Sequence, residues 1–339
     1  MVEPTPQVRD LAPYAPSRGA TIPDRDCLRL DWNEATWPPS PRVAEALQRV
    51  IVDGLNRYPD VSATALRAKL GAYTGAPADH IRVYNGSDAA LRDICAAFLG
   101  EGDPFYTLEP TYTQFAVFAH AAGGERARRP EDARMIYRPN PNNPDGDLLG
   151  TGDIEFMCED APGALIVIDE AYYEFAGVTA VPLVAQYDNL IVTRSFSKAF
   201  ALAGMRAGYV IAQPALLAWL DRIRNGKDVS ALAQVAACAA LDDLEYMYAH
   251  VDEVIRAQAW AVGELARLGV AAQATMGNWI LVRVADPGGF CTALAARGIL
   301  VRDRDALMPG VVRVSVGTHE DMARFVGAVK EVLGARIAV

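Results

Sequence analysis

Lys198 stands out because lysine is rare in this chain. Of the 339 residues, 32 are lysine or arginine, and lysine occurs only at positions 69, 198, 227 and 330. Lys198 follows Ser195-Phe196-Ser197 directly after an apolar run, and Arg206 comes soon after it. Two hydroxyls and a guanidinium around one amine suit a phosphate monoester, which arginine binds with two parallel hydrogen bonds. The lysine would either bind that phosphate or form a Schiff base with an aldehyde on the phosphorylated molecule.

Asp169 helps to choose between these two readings, because it ends the apolar run of residues 164–168. A buried carboxylate is costly unless it faces a cation or a metal, and a protonated pyridine nitrogen is such a cation. Lysine, carboxylate and phosphate ligands together indicate pyridoxal 5′-phosphate, which also needs donors near its ring oxygen and an aromatic stacking face. The N–H groups that open the helix at Ser87 would add an anion site. Further polar and aromatic candidates follow other predicted strands: Asn85, Asp88, Tyr112, Asn143 and Tyr172.

The elements that would position these residues alternate between strands and helices. Strands are predicted over residues 81–84, 135–137, 164–168, 190–193 and 208–212. Helices are predicted from Pro41, capped by Ser40, then over residues 62–73, from Asp88 through Leu99, and over 114–121, 153–159, 230–242 and 244–268. Apolar strands separated by helices predict a mostly parallel sheet covered on both faces. Ligands of such sheets bind beyond the carboxyl ends of the strands.

The predicted fold class is α/β, with a large mostly parallel-sheet domain and a small α+β domain. Residues 1–40 are rich in proline, aspartate and arginine without helical or strand periodicity, which predicts an extended arm packed with the small domain. Residues 41–245 are predicted to form the large cofactor-binding domain. Residues 246–339 are predicted to form the small domain, with strands near 279–284 and 311–316 and helices near 288–297 and 319–333.

Composition excludes several classes of function. The formal net charge of −10 disfavours nucleic acid and anionic membranes as partners. The 5 cysteines are dispersed without C-x-x-C spacing, and the 4 histidines lack ligand spacing, so we expect neither disulfides nor a metal site. The N-terminus lacks the apolar segment of a signal peptide, and no window is long enough to span a membrane. We therefore expect a soluble cytoplasmic protein.

Taken in order, the motifs resemble those of the pyridoxal-phosphate-dependent aminotransferases of fold type I, and within that family the histidinol-phosphate aminotransferases. The resemblance covers nearly the whole chain, and the order and spacing of the motifs are more specific than any one of them. The motifs are residues 8–14 (VRDLAPY), 31–34 (DWNE), 57–60 (RYPD), 85–88 (NGSD), 141–144 (PNNP), 169–172 (DEAY), 197–206 (SKAFALAGMR) and 313–318 (RVSVGT).

The resemblance implies three catalytic residues, Lys198, Asp169 and Tyr172. Lys198 would form the Schiff base with the cofactor and later move a proton from the substrate Cα to C4′ of the cofactor. Asp169 would keep the ring nitrogen protonated, so that the ring absorbs the electrons left at Cα. Asn143 and Tyr172 would hydrogen-bond the ring oxygen, and Tyr112 would stack on the ring. The result would be ping-pong transamination, with glutamate and 2-oxoglutarate as the usual co-substrate pair.

The resemblance also implies how the cofactor phosphate is held. Tyr58 would reach the phosphate of the partner subunit's cofactor, which implies a homodimer with shared sites. Within one subunit the phosphate ligands would be Ser87, Asp88, Ser195, Ser197 and Arg206.

The substrate end of the site is less determined. Arg302, Arg304 and Arg313 form a basic cluster that favours a carboxylate or a phosphate on the substrate, and Arg313 matches the arginine that receives the anionic group in the family. Tyr14 and Asn33 match the substrate-side arm. By the resemblance, the first expected substrate is L-histidinol phosphate.

Four positions depart from the family pattern. Trp32 and Trp37 flank an arm motif that usually reads Asn-Glu-Asn-Pro-Tyr-Gly, and such bulky residues would reshape the pocket. Ala89 stands where glutamate often follows Gly-Ser-Asp, and Asp145 replaces the threonine of Asn-Pro-Thr-Gly. Both changes leave the cofactor groups intact but alter nearby polar contacts.

Other functions stay open at this point. An aromatic amino acid aminotransferase, an aminotransferase of secondary metabolism and a phospho-amino-acid decarboxylase share the fold, the lysine and the aspartate. They differ in which bond at Cα stands perpendicular to the ring, which the motifs do not report. A cofactor-sensing regulator is disfavoured, because the N-terminal arm is too short for a winged helix and the net charge is −10.

Overall fold

The structure is a computed structural model that describes residues 27–337 together with residues 2, 4–9 and 11. Its strands are β1 Leu28–Leu30, β2 Ile81–Tyr84, β3 Pro104–Thr107, β4 Glu125–Arg126, β5 Met135–Pro139, β6 Leu165–Asp169, β7 Leu190–Ser195, β8 Gly208–Ala212, β9 Ala272–Ala274, β10 Trp279–Arg283, β11 Ile299–Asp303 and β12 Val311–Ser315. Its α-helices are α1 Pro6–Arg9, α2 Pro41–Asp53, α3 Thr64–Thr74, α4 Gly86–Phe98, α5 Thr113–Ala121, α6 Thr151–Asp160, α7 Tyr173–Ala176, α8 Pro214–Leu220, α9 Ala231–Leu241, α10 Leu244–Arg267, α11 Pro287–Ala295 and α12 His319–Ile337.

A large sheet forms the centre of the fold, with the strand order β2-β8-β7-β6-β5-β3-β4. Strand β8 runs antiparallel to both of its neighbours, and the other pairs are parallel. The predicted mostly parallel sheet is therefore confirmed. Its central strands β5, β6 and β7 are buried along their whole length because helices cover both faces.

The side chains of the central strands alternate between two hydrophobic cores. On one face the core contains Ile136, Ile166, Ile168, Val192 and Ile211. On the other face it contains Met135, Tyr137, Val167, Ile191 and Val210. Since both faces are buried, a shift of register by one residue would exchange the two cores, and the register at the carboxyl ends of these strands is firmly set.

A second, smaller sheet has the strand order β1-β11-β12-β10-β9. Strand β1 runs parallel to β11, and the remaining pairs are antiparallel. The expectation that residues 1–40 lack regular structure is wrong for α1 and β1: Leu28 and Leu30 form a strand because β11 supplies its hydrogen-bonding partner. The boundaries at residues 40 and 245 stay predictions.

Sequence patterns missed six further elements, and for β3, α8 and β11 the reason is local. Strand β3 starts with a proline and only alternate residues are buried. Helix α8 has 7 residues, too few for a clear helical period. Strand β11 ends in Arg302 and Asp303, whose charges interrupt its apolar pattern.

Gly208 allows the close approach that builds the site. It pairs with Ser195 at the end of β7, and a Cβ at Gly208 would lie 2.6 Å from the backbone nitrogen of Ser87 and 2.9 Å from the carbonyl oxygen of Arg194. Only glycine therefore lets the start of α4 reach the carboxyl end of β7. Across the described ranges, no helix has the length and apolar character needed to cross a membrane.

Candidate active site

A cavity of about 550 Å³ lies between the carboxyl ends of β5, β6 and β7 and the small sheet. This volume is typical of small-molecule sites, which span roughly 300–1,000 Å³. The cavity brings together most of the residues predicted from the sequence: Ser87, Asp88, Tyr112, Asn143, Asp169, Tyr172, Ser195, Ser197, Lys198, Arg206, Arg302, Arg304 and Arg313.

Two predicted residues do not line the cavity, and a third is not among the described residues. Asn33 is fully buried and contacts Tyr172 rather than the cavity. Tyr58 is 78% exposed, with the Lys227 ammonium 4.4 Å from the centre of its ring. Tyr14 lies outside the described residues. The roles predicted for these three residues stay predictions.

The carboxylate of Asp169 is held from both neighbouring strands. Tyr137 on β5 donates its hydroxyl hydrogen to Oδ2 over 2.9 Å, and Thr193 on β7 donates to Oδ1 over 3.0 Å. Thr193 lies directly opposite Asp169 in the register of β6 and β7. Since Asp169 is the last residue of β6, the same strand ends that shape the cavity fix the position of this carboxylate.

Burial makes Asp169 an unusual acid. It is 5% exposed, and burial raises its pKa to about 6, although the hydrogen bonds from Tyr137 and Thr193 lower it. Among the described residues, no lysine or arginine forms an ion pair with it. A carboxylate in this position gains most from a cationic ligand in the cavity, so its surroundings fit a protonated pyridine nitrogen.

The hydroxyl of Tyr172 lies at the centre of a group of amides. It accepts hydrogen bonds from Nδ2 of Asn33 over 3.1 Å and from Nδ2 of Asn143 over 3.4 Å. The hydroxyl oxygen is thus an acceptor twice, which directs its own hydrogen to another acceptor. Asn33 is fixed in turn by Ser315, whose hydroxyl accepts from the Asn33 backbone nitrogen over 2.8 Å.

Lys198 lies in the turn that follows β7. Its Nζ donates to the carbonyl oxygen of Trp32 over 3.0 Å and lies 5.7 Å from the centre of the Tyr172 ring. The turn is closed by a hydrogen bond of 3.0 Å from the backbone nitrogen of Ser197 to Oγ of Ser195. This turn therefore presents an amine and two hydroxyls to one cavity.

The N-terminus of α4 and Arg206 form the opposite end of the cavity. Nη1 of Arg206 lies 3.4 Å from Oγ of Ser197, and Nη2 lies 3.3 Å from Oδ2 of Asp88. Gly86 has a φ of +80°, and a Cβ there would lie 2.6 Å from Nη2 of Arg206. Backbone N–H groups, hydroxyls and a guanidinium converge here, which is the donor set that a phosphate group requires.

Asp88 can serve an anion only through its backbone N–H. Its carboxylate accepts from the hydroxyl of Tyr112 over 2.7 Å and pairs with Arg206. Burial, reinforced by the charge of Asp88, raises the pKa of Tyr112 well above its usual value, so this hydroxyl stays protonated. The contact fixes the Tyr112 ring at the cavity wall.

The arginines of the small sheet form the third part of the cavity. Arg313 donates to Oδ1 of Asn143 over 2.8 Å and to the carbonyl oxygen of Asp31 over 2.7 Å. Arg302 lies directly opposite Arg313 on the neighbouring strand. Like charges in such a cross-strand pair are unfavourable, and an anion in the cavity removes the repulsion. Arg304 lines the same space.

A buried ion pair supports the floor of the site. Glu170, which follows Asp169, accepts from Arg194, which precedes Ser195, over 2.8 Å. The guanidinium also lies 3.6 Å from the centre of the Tyr173 ring. Both side chains are almost fully buried, so separating them would leave an uncompensated charge. The pair therefore locks the ends of β6 and β7 together.

The departures from the family pattern differ in their consequences. Trp32 lines the cavity, and its ring lies 4.4 Å from the guanidinium of Arg29. Trp37 stacks on His250, with ring centroids 4.6 Å apart, and does not line the cavity. Asp145 accepts from Nδ2 of Asn142 over 2.7 Å and stabilises the turn after β5. Trp32 is thus the departure that changes the cavity wall.

Sequence reasoning missed several residues of the site. Tyr137 and Thr193 contact Asp169, and Gln114 and Glu34 line the cavity. For Thr193 the sequence showed only that it ends the predicted strand that precedes the lysine turn. Glu34 lay within the motif of residues 31–34 without a role of its own.

Comparison with known proteins places this chain in a family. The profile of the family described as aminotransferase class I and II matches residues 25–329. A histidinol-phosphate aminotransferase from Geotalea daltonii is 33% identical over 98% of this chain and 100% of its own length. A dihydroxyacetone phosphate transaminase from Campylobacter jejuni is 34% identical over 96% of this chain and 95% of its own length.

A solved structure shares the fold over the whole chain. The histidinol-phosphate aminotransferase from Sinorhizobium meliloti, crystallised in complex with pyridoxal 5′-phosphate, superposes with a TM-score of 0.89 at 24% identity, over 99% of this chain and 98% of that one. This likeness confirms the predicted fold class. With the family profile and the relatives above 30% identity, it shows that the chain belongs to the class I and II aminotransferases and is an aminotransferase similar to histidinol-phosphate aminotransferases.

Proposed function

We propose that this aminotransferase binds pyridoxal 5′-phosphate at the cavity and transfers an amino group by a ping-pong reaction between a phosphorylated substrate and 2-oxoglutarate. The observation that carries the proposal is the convergence of Lys198, Asp169 and the arginines of the small sheet on one cavity. The amine matches the aldehyde of the cofactor, and the buried acid matches its ring nitrogen. The basic cluster matches an anionic group on the substrate.

The residues that would hold the cofactor follow from the donor sets. Asp169 would pair with the ring nitrogen and keep it protonated. Tyr172 and Asn143 would hydrogen-bond the ring oxygen, and the Tyr112 ring would pack against the cofactor ring. The phosphate ligands are the N–H groups that open α4, with Ser87, Ser195, Ser197 and Arg206. When bound, pyridoxal phosphate supplies an electron sink for the bond broken at the substrate Cα.

Lys198 performs the proton transfer. Its amine would bind the cofactor aldehyde in the absence of substrate. Once freed by a substrate amine, the same amine would serve as the acid and base that moves a proton to or from the substrate Cα. The Trp32 carbonyl, 3.0 Å from Nζ, orients the amine within the cavity.

A phosphate on the substrate is favoured over a simple carboxylate by the number of arginines. Arg302, Arg304 and Arg313 supply more donors than one carboxylate can accept, whereas a phosphate monoester carries about two charges and three acceptor oxygens. The Geotalea daltonii relative bears the name histidinol-phosphate aminotransferase. L-Histidinol phosphate is therefore the first candidate.

A second candidate is a short phosphorylated ketone that receives an amino group from glutamate. The Campylobacter jejuni relative is named a dihydroxyacetone phosphate transaminase and is 34% identical. The observation that favours this candidate is the Trp32 indole, which occupies part of the cavity wall and is held by Arg29. The space that the indole fills is closed to the substrate, which suits a shorter one.

The dimer and the cellular site complete the proposal. Tyr58, exposed and outside the cavity of its own subunit, is available to reach the phosphate in the partner's cavity. We propose a homodimer with shared sites in the cytoplasm. Light scattering after size-exclusion chromatography measures the oligomeric state, and a monomeric holoenzyme would rule out the shared site.

The proposal is tested by absorption spectroscopy of the protein reconstituted with pyridoxal phosphate. L-Histidinol phosphate or glutamate should each convert the visible band of the lysine-bound cofactor into the near-ultraviolet band of pyridoxamine phosphate. The glutamate-treated enzyme is then offered dihydroxyacetone phosphate, and return of the visible band would favour the second candidate. Release of CO₂ without pyridoxamine phosphate would instead establish the decarboxylase alternative and overturn transamination.

A further inference from the structure

We infer that Tyr137 and Thr193 are positioning residues for Asp169, which together hold its carboxylate in the orientation that receives the ring nitrogen of the cofactor. This inference rests on the proposed function, since it assigns a task to residues behind the acid that would bind pyridoxal phosphate. Neither residue lines the cavity, so both act through Asp169.

The two hydroxyls bind different oxygens of the Asp169 carboxylate. Each donates to a different oxygen of the same carboxylate, at 2.9 Å from Tyr137 and 3.0 Å from Thr193. The donors come from the two strands that flank β6, so the carboxylate is fixed on both sides. A carboxylate oxygen accepts about two hydrogen bonds, and Tyr137, Thr193 and the backbone N–H of Ala171 together donate three, so the carboxylate keeps acceptor capacity for the cavity.

The ring of Tyr137 is held in place by packing. Its ring stacks on that of Phe115, with centroids 3.9 Å apart and planes inclined by 5°. Phe115 belongs to α5, the helix that starts directly after Tyr112. One helix thus fixes both the aromatic wall of the cavity and the ring behind Asp169, so the Tyr137 hydroxyl has little freedom to leave the carboxylate.

Tyr137 is the donor in its hydrogen bond to Asp169. Burial and the charge of Asp169 raise the pKa of Tyr137 well above its usual value, so its hydroxyl remains a donor. Two donated hydrogen bonds favour the ionised form of a carboxylate, whereas burial and the charge of Asp88 favour the neutral form. Losing either donor would weaken the charge that attracts a protonated ring nitrogen.

The experiment measures the dissociation constant of pyridoxal phosphate for Tyr137→Phe and Thr193→Val at neutral pH. Phenylalanine keeps the stack on Phe115, and valine keeps the shape of threonine, so each variant loses only a hydroxyl. We expect the dissociation constant to rise about tenfold in each, as for the loss of a hydrogen bond to a charged group. Thr193→Ser retains the donor and should restore wild-type binding.

Tyr84→Phe is the matched control. Tyr84 is a buried tyrosine of the same sheet, and its hydroxyl has no hydrogen-bond partner within the described part of the chain. Removal of this hydroxyl should leave cofactor binding unchanged. An equal loss of affinity for pyridoxal phosphate in Tyr84→Phe and Tyr137→Phe would show a general packing effect and overturn the inference.

A cofactor analogue separates positioning from simple structural support. In the carbocyclic analogue of pyridoxal phosphate, carbon replaces the ring nitrogen, so Asp169 has no cation to receive. Wild type and Tyr137→Phe should bind this analogue equally. An equal loss of affinity for the analogue and for pyridoxal phosphate would overturn the inference.

The remaining outcomes distinguish this inference from the proposed function. If the wild-type protein binds pyridoxal phosphate and transaminates while Tyr137→Phe and Thr193→Val bind as wild type does, the inference fails and the proposed function stands. If the wild-type protein does not bind pyridoxal phosphate, the proposed function fails, and the inference with it.

Discussion

The two sides of the cavity are anchored in different ways. The sheet side, formed by Asp169, Ser195, Ser197 and Lys198, lies at the ends of central strands, and its three residues other than the lysine are buried. The arm side, formed by Trp32, Glu34, Arg302 and Arg304, comes from the segment after β1 and the end of β11, and all four residues are partly exposed. The sheet side is supported by central strands, whereas the arm side lies on an outer strand pair of the small sheet.

This difference separates chemistry from selectivity. By the proposed function the sheet side would carry the groups that any transamination needs, and these groups are fixed by register and by buried hydrogen bonds. The arm side carries charges and one large indole at the open end of the cavity. Substitutions on the sheet side should therefore abolish the reaction, while substitutions on the arm side should change which substrate reacts.

The largest expected effect is that of Lys198→Ala on the sheet side. Without the amine, no group is placed to move the proton at Cα, and turnover should fall by about 10⁴-fold or more. The measurement is the rate of the glutamate half-reaction in a stopped-flow spectrophotometer. Lys330→Ala, on an exposed position of α12, is the matched control and should keep wild-type turnover. Substantial activity in Lys198→Ala would refute the central assignment.

The next effect should come from Arg304→Gln on the arm side. Loss of a charged donor to a phosphate should raise KM for the phosphorylated substrate by about 10- to 100-fold. The half-reaction rate at saturating substrate should change much less, since the proton-transfer groups are untouched. Arg283→Gln removes a charge from β10 of the same sheet at an exposed position outside the cavity, and should leave KM unaltered. A fall in the saturated rate with constant KM would assign Arg304 to the chemistry.

The sheet side was largely predictable from sequence, because an apolar strand that ends in a carboxylate is a strong local signal. Asp169 ends one apolar strand and Lys198 follows another, and the rule for parallel sheets places both at the same edge. Tyr137 and Thr193 were not predictable as partners of Asp169. Their contacts depend on which strands are neighbours and in which register, and neither is encoded in the local pattern of one strand.

The arm side was predictable only through resemblance to a family. Strand β11 was missed because Arg302 and Asp303 break its apolar pattern, and β1 because its partner lies far away in the chain. Asn33 was predicted to contact substrate, and that role stays a prediction; in the structure Asn33 is buried and donates to Tyr172. Long-range pairing between the arm and the small sheet determines these positions, and sequence patterns carry little information about it.

Trp32→Ser should alter selectivity by a smaller factor. Removal of the indole enlarges the cavity next to Lys198, so a bulky phosphorylated amino alcohol should gain relative to a short one. We expect the ratio of kcat/KM values for L-histidinol phosphate and a three-carbon amino alcohol phosphate to shift by about tenfold, as for differences of one or two methylenes in a pocket. Trp219→Ser, exposed on α8, should leave this ratio unchanged. A uniform loss on both substrates would place Trp32 in support of Lys198 instead.

The smallest expected effect is that of Asp169→Asn on folding stability. Its pKa is raised by burial to about 6 in the folded protein, against about 4 when unfolded, so the folded state binds its proton more tightly. The stabilisation from this group is complete below about pH 4 and is lost as the pH rises through about 6. Asp169→Asn removes the titration. When the pH is raised from 5 to 8, the free energy of unfolding of the cofactor-free variant should therefore increase by about 1 kcal/mol relative to that of the wild type.

Urea denaturation of both cofactor-free proteins at the two pH values measures this difference. Burial also raises the pKa of Glu174, to about 7, but Glu174 is present in both proteins and its contribution cancels in the comparison. A stability difference independent of pH would mean that other groups of the protein already offset the cost of burying the charged Asp169. Asp169→Asn should at the same time slow the half-reaction by orders of magnitude. A gain in folding stability of this variant at high pH would then show that the sheet side holds the Asp169 carboxylate ionised at the expense of folding stability.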